Sequence, residues 1–300
     1  MGAPRTGSLI HILQAARTDF SRNDCGTRAA ALAYATVFAL PPLLILLVII
    51  AGRLWDPGEV QRALEYQFAG MVGADGARQI HDMMVHGFQS PGNGLVATLV
   101  SVVGLLLGAI GALLALQGAL NLVWQVKPDP KHGGIKHFIT KRLLSLGMVV
   151  GLGFLLAVSL AITAAITAFG STIIVSVPDA AKYAFDLVLS TAVLGVLFAA
   201  VFKVLPDADI EWKDVWVGGV ATAVFFVIGK YLIGLYLGHS KPGDAFGAAG
   251  ALAVVLVWAY YAGMIVLFGA EFTQEWATQR GGGIRPSPGA VRAVKQEVVS

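Results

Sequence analysis

Charge is what this sequence has least of. Asp, Glu, Lys and Arg make up 13% of its 300 residues, about half the ~25% typical of soluble proteins. A soluble chain of this length needs more than that to cover its surface. Hydrophobic residues reach 56%, which excludes disorder, and the glycines follow no collagen-like period. The one cysteine, Cys25, excludes an internal disulfide framework. Also missing are a P-loop, a Gly-x-Ser-x-Gly elbow and any paired-cysteine site. His81 and His86 lie five apart, as do His132 and His137, so neither pair has the i, i+4 spacing of helical metal ligands. We therefore assign no catalytic residue, metal ligand or cofactor-binding residue. The chain is expected to be no enzyme, to need no cofactor and to hydrolyse no ATP itself.

What is present is long apolar sequence. No Asp, Glu, Lys or Arg occurs from Ala29 to Gly52, enough for a helix to cross ~30 Å of hydrocarbon. Further runs cover about Gly94–Trp124, Leu143–Phe169, Lys182–Leu205, Val215–Leu237 and Phe246–Phe272. None alternates at the short period of barrel strands. The expected fold is all-α, a polytopic membrane protein with six transmembrane helices. It divides into a cytoplasmic amphipathic segment 1–28, a membrane domain 29–278 and a mobile cytoplasmic tail 279–300.

The few cations give an orientation. Arg5, Arg17, Arg22 and Arg28 precede the first span. Lys127, Lys131, Lys136, Lys141 and Arg142 fall between the second and third. Lys203 and Lys213 join the fourth to the fifth, and Arg280, Arg285, Arg292 and Lys295 follow the last. Fifteen of the 21 basic residues thus share one side, so both termini are expected in the cytoplasm of a bacterium, on its inner membrane. The net charge of +3 is then topology, not a nucleic-acid footprint. The first apolar stretch begins too late, and is too long, for a cleavable signal peptide.

Outside the spans, Leu9, Ile12, Leu13, Ala16 and Phe20 share a helical face. They form an amphipathic helix that either lies in the membrane interface or packs on the cytoplasmic ends of the bundle. Ile80, Met83, Met84, Gly87 and Phe88, with Val60, Leu64 and Phe68 before them, suggest a small external helical cap over 53–93.

Several residues are unusual for a bilayer. Pro41 and Pro42 stand near the centre of the first span and deprive the carbonyls of Val37 and Phe38 of their helical donors. A helix broken there lines a binding site in many transporters; a packed kink is the simpler alternative. Gln117 and Asn121 share one face of the second span, either as interhelical hydrogen-bonding groups or as a cavity wall. Tyr34 lies at a similar depth. These five make up a candidate translocation path. Asp186 and Lys230 fall at matching depths near the outer surface, so they either pair or snorkel separately to the headgroups. Glu271 ends the sixth span as a gating carboxylate or an interfacial one. Gly104 and Gly108, Gly147 and Gly151, and the ladder Ala157, Ala161, Ala165 allow close helix packing or a homo-oligomer.

Three stretches carry a resemblance. Arg28-Ala29-Ala30-Ala31-Leu32-Ala33-Tyr34 with Phe38-Ala39-Leu40-Pro41-Pro42-Leu43 resembles the opening helix of the YihY/BrkB family of membrane proteins. Gln117-Gly118-Ala119-Leu120-Asn121-Leu122-Val123-Trp124 is similar to its second-span signature. Leu205-Pro206-Asp207, Gly247, Trp258-Ala259-Tyr260 and Gly269-Ala270-Glu271 follow in family order, so that the likeness covers residues 15–278. Ala39 and Phe246 depart from the family's serine and tyrosine, so roles resting on those hydroxyls are not carried over. The resemblance implies an inner-membrane protein of six spans, with transport or lipid translocation as the usual suggestion. The family's old ribonuclease BN label finds no metal cluster or soluble domain here to support it.

The expected function is a transporter or lipid translocator, whose partners are membrane lipids and a lipid or small-molecule substrate, not nucleic acid. The alternative is a non-transporting envelope scaffold that binds partners through its external cap.

Overall fold

The computed structural model describes residues 8–51, 56, 58–59, 62, 95–129, 179–240 and 250–293. The described residues form six helices, of which the last five coincide with apolar runs. They are α1 (Leu9–Arg22), α2 (Cys25–Ala51), α3 (Leu95–Val123), α4 (Asp179–Val204), α5 (Trp212–Ser240) and α6 (Gly250–Arg280). Four short strands accompany them: β1 (Val126–Pro128), β2 (Ala208–Asp209), β3 (Arg285–Pro286) and β4 (Ala290–Arg292). Among the described residues three stretches, Leu187–Val204, Trp212–Tyr236 and Leu252–Arg280, are long and apolar enough to cross a membrane. The third expected span, most of the external cap at 53–93 and the small-residue ladders at 147–165 lie outside the described residues.

Local chemistry sets the helix ends. Ser8 caps α1 by accepting from the His11 amide, which satisfies one of the four unpaired donors of the first turn. Asn23 closes the helix with its amide on the carbonyls of Asp19 and Ser21. Asp24 then takes a left-handed conformation (φ 50°) and turns the chain into α2, a strain that Asp tolerates better than most residues. Gln125 does the same after α3 (φ 53°).

The first span is not divided at its prolines. Helix α2 runs from Cys25 to Ala51 without interruption, through Pro41 and Pro42. Each proline removes one amide donor, but its fixed φ near −65° is itself helical. Apolar helices carry such residues without ending.

The chain forms two compact units. The first comprises Met1–Asn23, Leu120–Phe225 and Phe268–Ser300, the second Asp24–Ala119 and Phe226–Leu267. In the first, α5 and α6 cross in antiparallel fashion around two small residues. A Cβ added to Gly218 would run into Thr273, and one added to Gly269 would run into Thr222. Each threonine hydroxyl donates to the carbonyl of the glycine four residues earlier on its own helix, Thr222 to Gly218 and Thr273 to Gly269, both at 2.7 Å. The neighbouring Gly219 faces the other way, where its Cβ would lie 2.7 Å from the Gly195 carbonyl and 2.8 Å from the Ala199 amide of α4. The doublet Gly218-Gly219 thus lets α5 approach two helices at backbone distance. Helix α1 lays Ile12 and Ala16 against Phe272, with Val217, Ala221, Phe225 and Trp276 around them. Burying a side chain such as Ile12 contributes about 2 kcal/mol.

Part of the tail takes up regular structure. Residues expected to be mobile instead pair as strands, β3 with β2 and β4 with β1, both antiparallel. Ser287 donates to the Asp207 carbonyl, Ala293 to that of Gln125, and Asp129 to that of Gly289. A Gly- and Pro-rich sequence reads as loose, but its backbone groups find partners in the turns after α3 and α4.

In the second unit, a Cβ on Gly263 of α6 would lie 3.4 Å from Ala29 of α2, and one on Gly229 of α5 would meet Ile265 and Tyr261. Large side chains fill the rest, with Phe226 edge-on to Trp258 at 6.3 Å.

Along its free side α5 exposes Trp212, Trp216, Val220, Val224, Ile228, Leu232 and Tyr236. Nearly every step is four residues, so the face is one continuous apolar stripe with aromatic residues at both ends. That is the pattern of a helix meeting lipid, with Trp and Tyr at the two interfaces.

Candidate functional site

The first unit gathers most of the buried polar side chains among the described residues. Asn121, in the last turn of α3, meets Asp207 in the turn after α4. Its amide nitrogen donates to the Asp207 carboxylate at 2.8 Å and its oxygen accepts from the Asp207 backbone amide at 2.7 Å. One turn on, the Trp124 indole donates to the Ala270 carbonyl of α6 at 3.1 Å. The adjacent Glu271, fully buried, accepts from the Asn23 amide at 2.7 Å. Asn23 belongs to the turn that ends α1. Four chain segments thus meet, and apart from Asn23 the side chains come from the second and third stretches that carry the family resemblance. Asp214 is buried nearby in sequence at the start of α5, with Gly281 leaving it the room that any Cβ would take.

Beside the α4–α5 turn lies an open cleft of ≈ 580 Å³. Lys203, in the last turn of α4, donates to the Asp209 carboxylate at 2.9 Å and to the Ile210 carbonyl at 2.6 Å. Its ammonium also lies 5.8 Å from the Trp212 ring centroid. Lys213 pairs with Glu211 at 2.7 Å. Arg285, opposite Asp209 in the β2–β3 ladder, completes the rim.

The residues expected to line a path fall in both units. Asn121 belongs to the first unit; Tyr34, Pro41, Pro42 and Gln117 belong to the second. Both ends of the Asn121 amide are used by Asp207. Tyr34 is 65% exposed, its ring tilted against that of Phe38 with centroids 4.8 Å apart. Gln117 is half-buried. The side chains of Pro41 and Pro42 lie outside the described residues. Glu271 is fully buried. Lys230 is exposed, 5.9 Å from the Tyr231 ring centroid. The side chain of Asp186 lies outside the described residues, as does its suggested pairing with Lys230. The void beside Lys230, ≈ 10 Å³ among Phe226, Trp258 and Tyr261, has room for about one water. Among the described residues no three His, Cys, Asp or Glu side chains are grouped to hold a metal ion.

Sequence reasoning missed Asn23 and the Gly218/Thr222–Gly269/Thr273 crossing. Two Gly-x-x-x-Thr spacings were there as a signal, of the small-xxx-small kind that marks close helix contact. Asn23 carried none, because a polar residue between two helices is ordinary.

Comparison with known proteins places these features in a wider set. The family model described as virulence factor BrkB matches residues 16–293. A UPF0761 membrane protein of Verminephrobacter eiseniae is 28% identical over 263 residues, 87% of this chain and 60% of its own length. One from Alkalilimnicola ehrlichii is 30% identical over 86% of this chain and 56% of its own. One from Pseudomonas aeruginosa is 29% identical over 87% and 61%. The chain therefore spans about 60% of the length of the curated relatives it matches. No solved structure matches it.

Proposed function

The chain belongs to the virulence factor BrkB family of membrane proteins, and from that premise we propose a six-span transporter or lipid translocator of the bacterial inner membrane. Both termini lie in the cytoplasm, and the chain works by binding and moving its substrate, not by catalysis and without an ATPase of its own. The observation that carries this reading is Glu271, a fully buried carboxylate that follows the apolar stretch of α6 and is held by Asn23. An ionisable group costs several kcal/mol to keep in such surroundings, and membrane proteins place such groups on substrate or proton pathways. The antiparallel course of α5 against both α4 and α6 supports alternating spans. The apolar stripe on α5 supports contact with lipid.

Reconstitution tests it. Vesicles containing the full chain and a fluorescent phosphatidylglycerol are treated with dithionite, which quenches only the outer leaflet. The wild-type chain brings inner-leaflet probe within reach of the quencher, and Glu271→Gln slows this at least tenfold while the purified variant stays helical. Protected inner-leaflet probe in the presence of folded wild-type chain would overturn lipid translocation and favour the scaffold alternative.

A further inference from the structure

The cleft beside the α4–α5 turn carries charge that the fold does not consume. Lys203 is bound to Asp209 and Lys213 to Glu211, and each pair is neutral. Arg285 forms no ion pair among the described residues, although it faces Asp209 across the ladder. The lining therefore has one positive charge in excess, on an exposed side chain at the rim. The Lys213–Glu211 pair is itself solvated, its side chains 63% and 54% exposed. Such a pair contributes little and exchanges partners readily.

The depth of the cleft follows from α5. Trp212 lines the cleft and also begins the apolar stripe that ends at Tyr236. The 24 residues between them rise about 36 Å at ~1.5 Å each, which is a hydrocarbon core of ~30 Å plus the aromatic residues at its two edges. Trp212 then stands at the level of the lipid headgroups, and so does the cleft. The ≈ 580 Å³ volume is within the range of roughly 300–1,000 Å³ usual for small-molecule sites.

We infer that this cleft holds the phosphate of an anionic phospholipid. Arg285 takes the phosphate in a charge-assisted contact, Lys213 turns from Glu211 towards it, and Trp212 lies along the glycerol and upper acyl chain. One excess cation matches one headgroup charge. This rests on the membrane-spanning part of the reading above and not on translocation. A chain that moves no lipid in vesicles still retains phosphatidylglycerol here.

Native mass spectrometry of the full chain in mixed micelles reads the outcome, with phosphatidylglycerol, phosphatidylcholine and soluble glycerol phosphate offered in turn. The expected result is one tightly retained phosphatidylglycerol. Arg285→Gln weakens it about tenfold, as loss of one charge-assisted bond does. Trp212→Ala weakens it severalfold, and Arg22→Gln on α1 leaves it unchanged. Lys213→Gln, outside the strand ladder, serves as the second variant if Arg285→Gln unfolds, with a severalfold loss expected. Equal retention by Arg285→Gln or Lys213→Gln in folded protein overturns the inference. So does an equal loss in Arg22→Gln, which marks diffuse surface charge. Equal binding of phosphatidylcholine defeats the charge argument, and equal binding of glycerol phosphate defeats the lipid one.

Discussion

The helix pair α5–α6 is packed by different chemistry in the two units. In the first, two glycines and two threonines interlock, and each glycine is a socket for the other helix's side chain. Around that crossing lie Asn23, Asn121, Asp207 and Glu271, with the tail paired to the neighbouring turns. In the second, the same helices meet through Gly229, Tyr261, Ile265 and Trp258, and the contact is made by large, adjustable side chains. Backbone contact and buried hydrogen bonds admit few arrangements. Side-chain tips admit several. The chain therefore specifies its geometry in the unit that holds Glu271, and leaves latitude in the other.

Gly218→Val strikes that difference hardest. The new side chain would overlap Thr273, whose own Cβ lies 2.8 Å from where the new Cβ would sit, so the helices must separate. Overpacking of this kind costs about 3 kcal/mol or more. Thermal unfolding in detergent should show a much lowered midpoint or no folded protein. Adding Thr273→Gly should recover most of the loss, since it removes all three atoms in the way. An uncompensated double variant would mean that the crossing is not the tight contact.

Asn121→Ala ranks next. It removes both hydrogen bonds to Asp207 and leaves a buried carboxylate one partner poorer, which costs about 2 kcal/mol. The same unfolding measurement checks it. Hydrogen exchange should quicken at Ala208 and Asp209, the strand that follows Asp207, and not at Gly229 or Tyr261. Uniform quickening in both units would remove the distinction between them.

Much of this architecture is legible in the sequence, for reasons that differ by element. Except for α6, which continues past Phe272 to Arg280, the bounds of α2 to α6 follow the apolar runs within a few residues, because hydrophobicity sustained over 25 or more residues has few other readings. Asn121 and Asp207 each stood out as part of a motif, but 86 residues separate them and no local pattern marks them as partners. Strands β3 and β4 were invisible because a ladder of two or three residues has no periodicity, and Gly281-Gly282-Gly283 with Pro286 and Pro288 reads as loop. The prolines of α2 left two readings open. Their local cost is real, but a long apolar helix keeps its remaining hydrogen bonds in place around them. The cleft at Arg285 could not be read at all, since it depends on the tail pairing with β2.

Gly229→Ala is the mildest change and the most discriminating. Its Cβ would approach the Ile265 Cδ1 atom and, at 3.0 Å, the Tyr261 ring. Both are ends of side chains that move by rotation, whereas Gly218 abuts the rigid Cβ of Thr273. Alanine also favours the helix over glycine by about 1 kcal/mol, which offsets the cost of repacking. The expected net change is therefore about 0.5 kcal/mol or less in either direction, seen as a barely shifted unfolding midpoint. Gly218→Ala carries the same helix gain and should still be clearly destabilised. If the two alanine variants lose equal stability, the second unit is as closely fitted as the first, and the latitude assigned to it is not there.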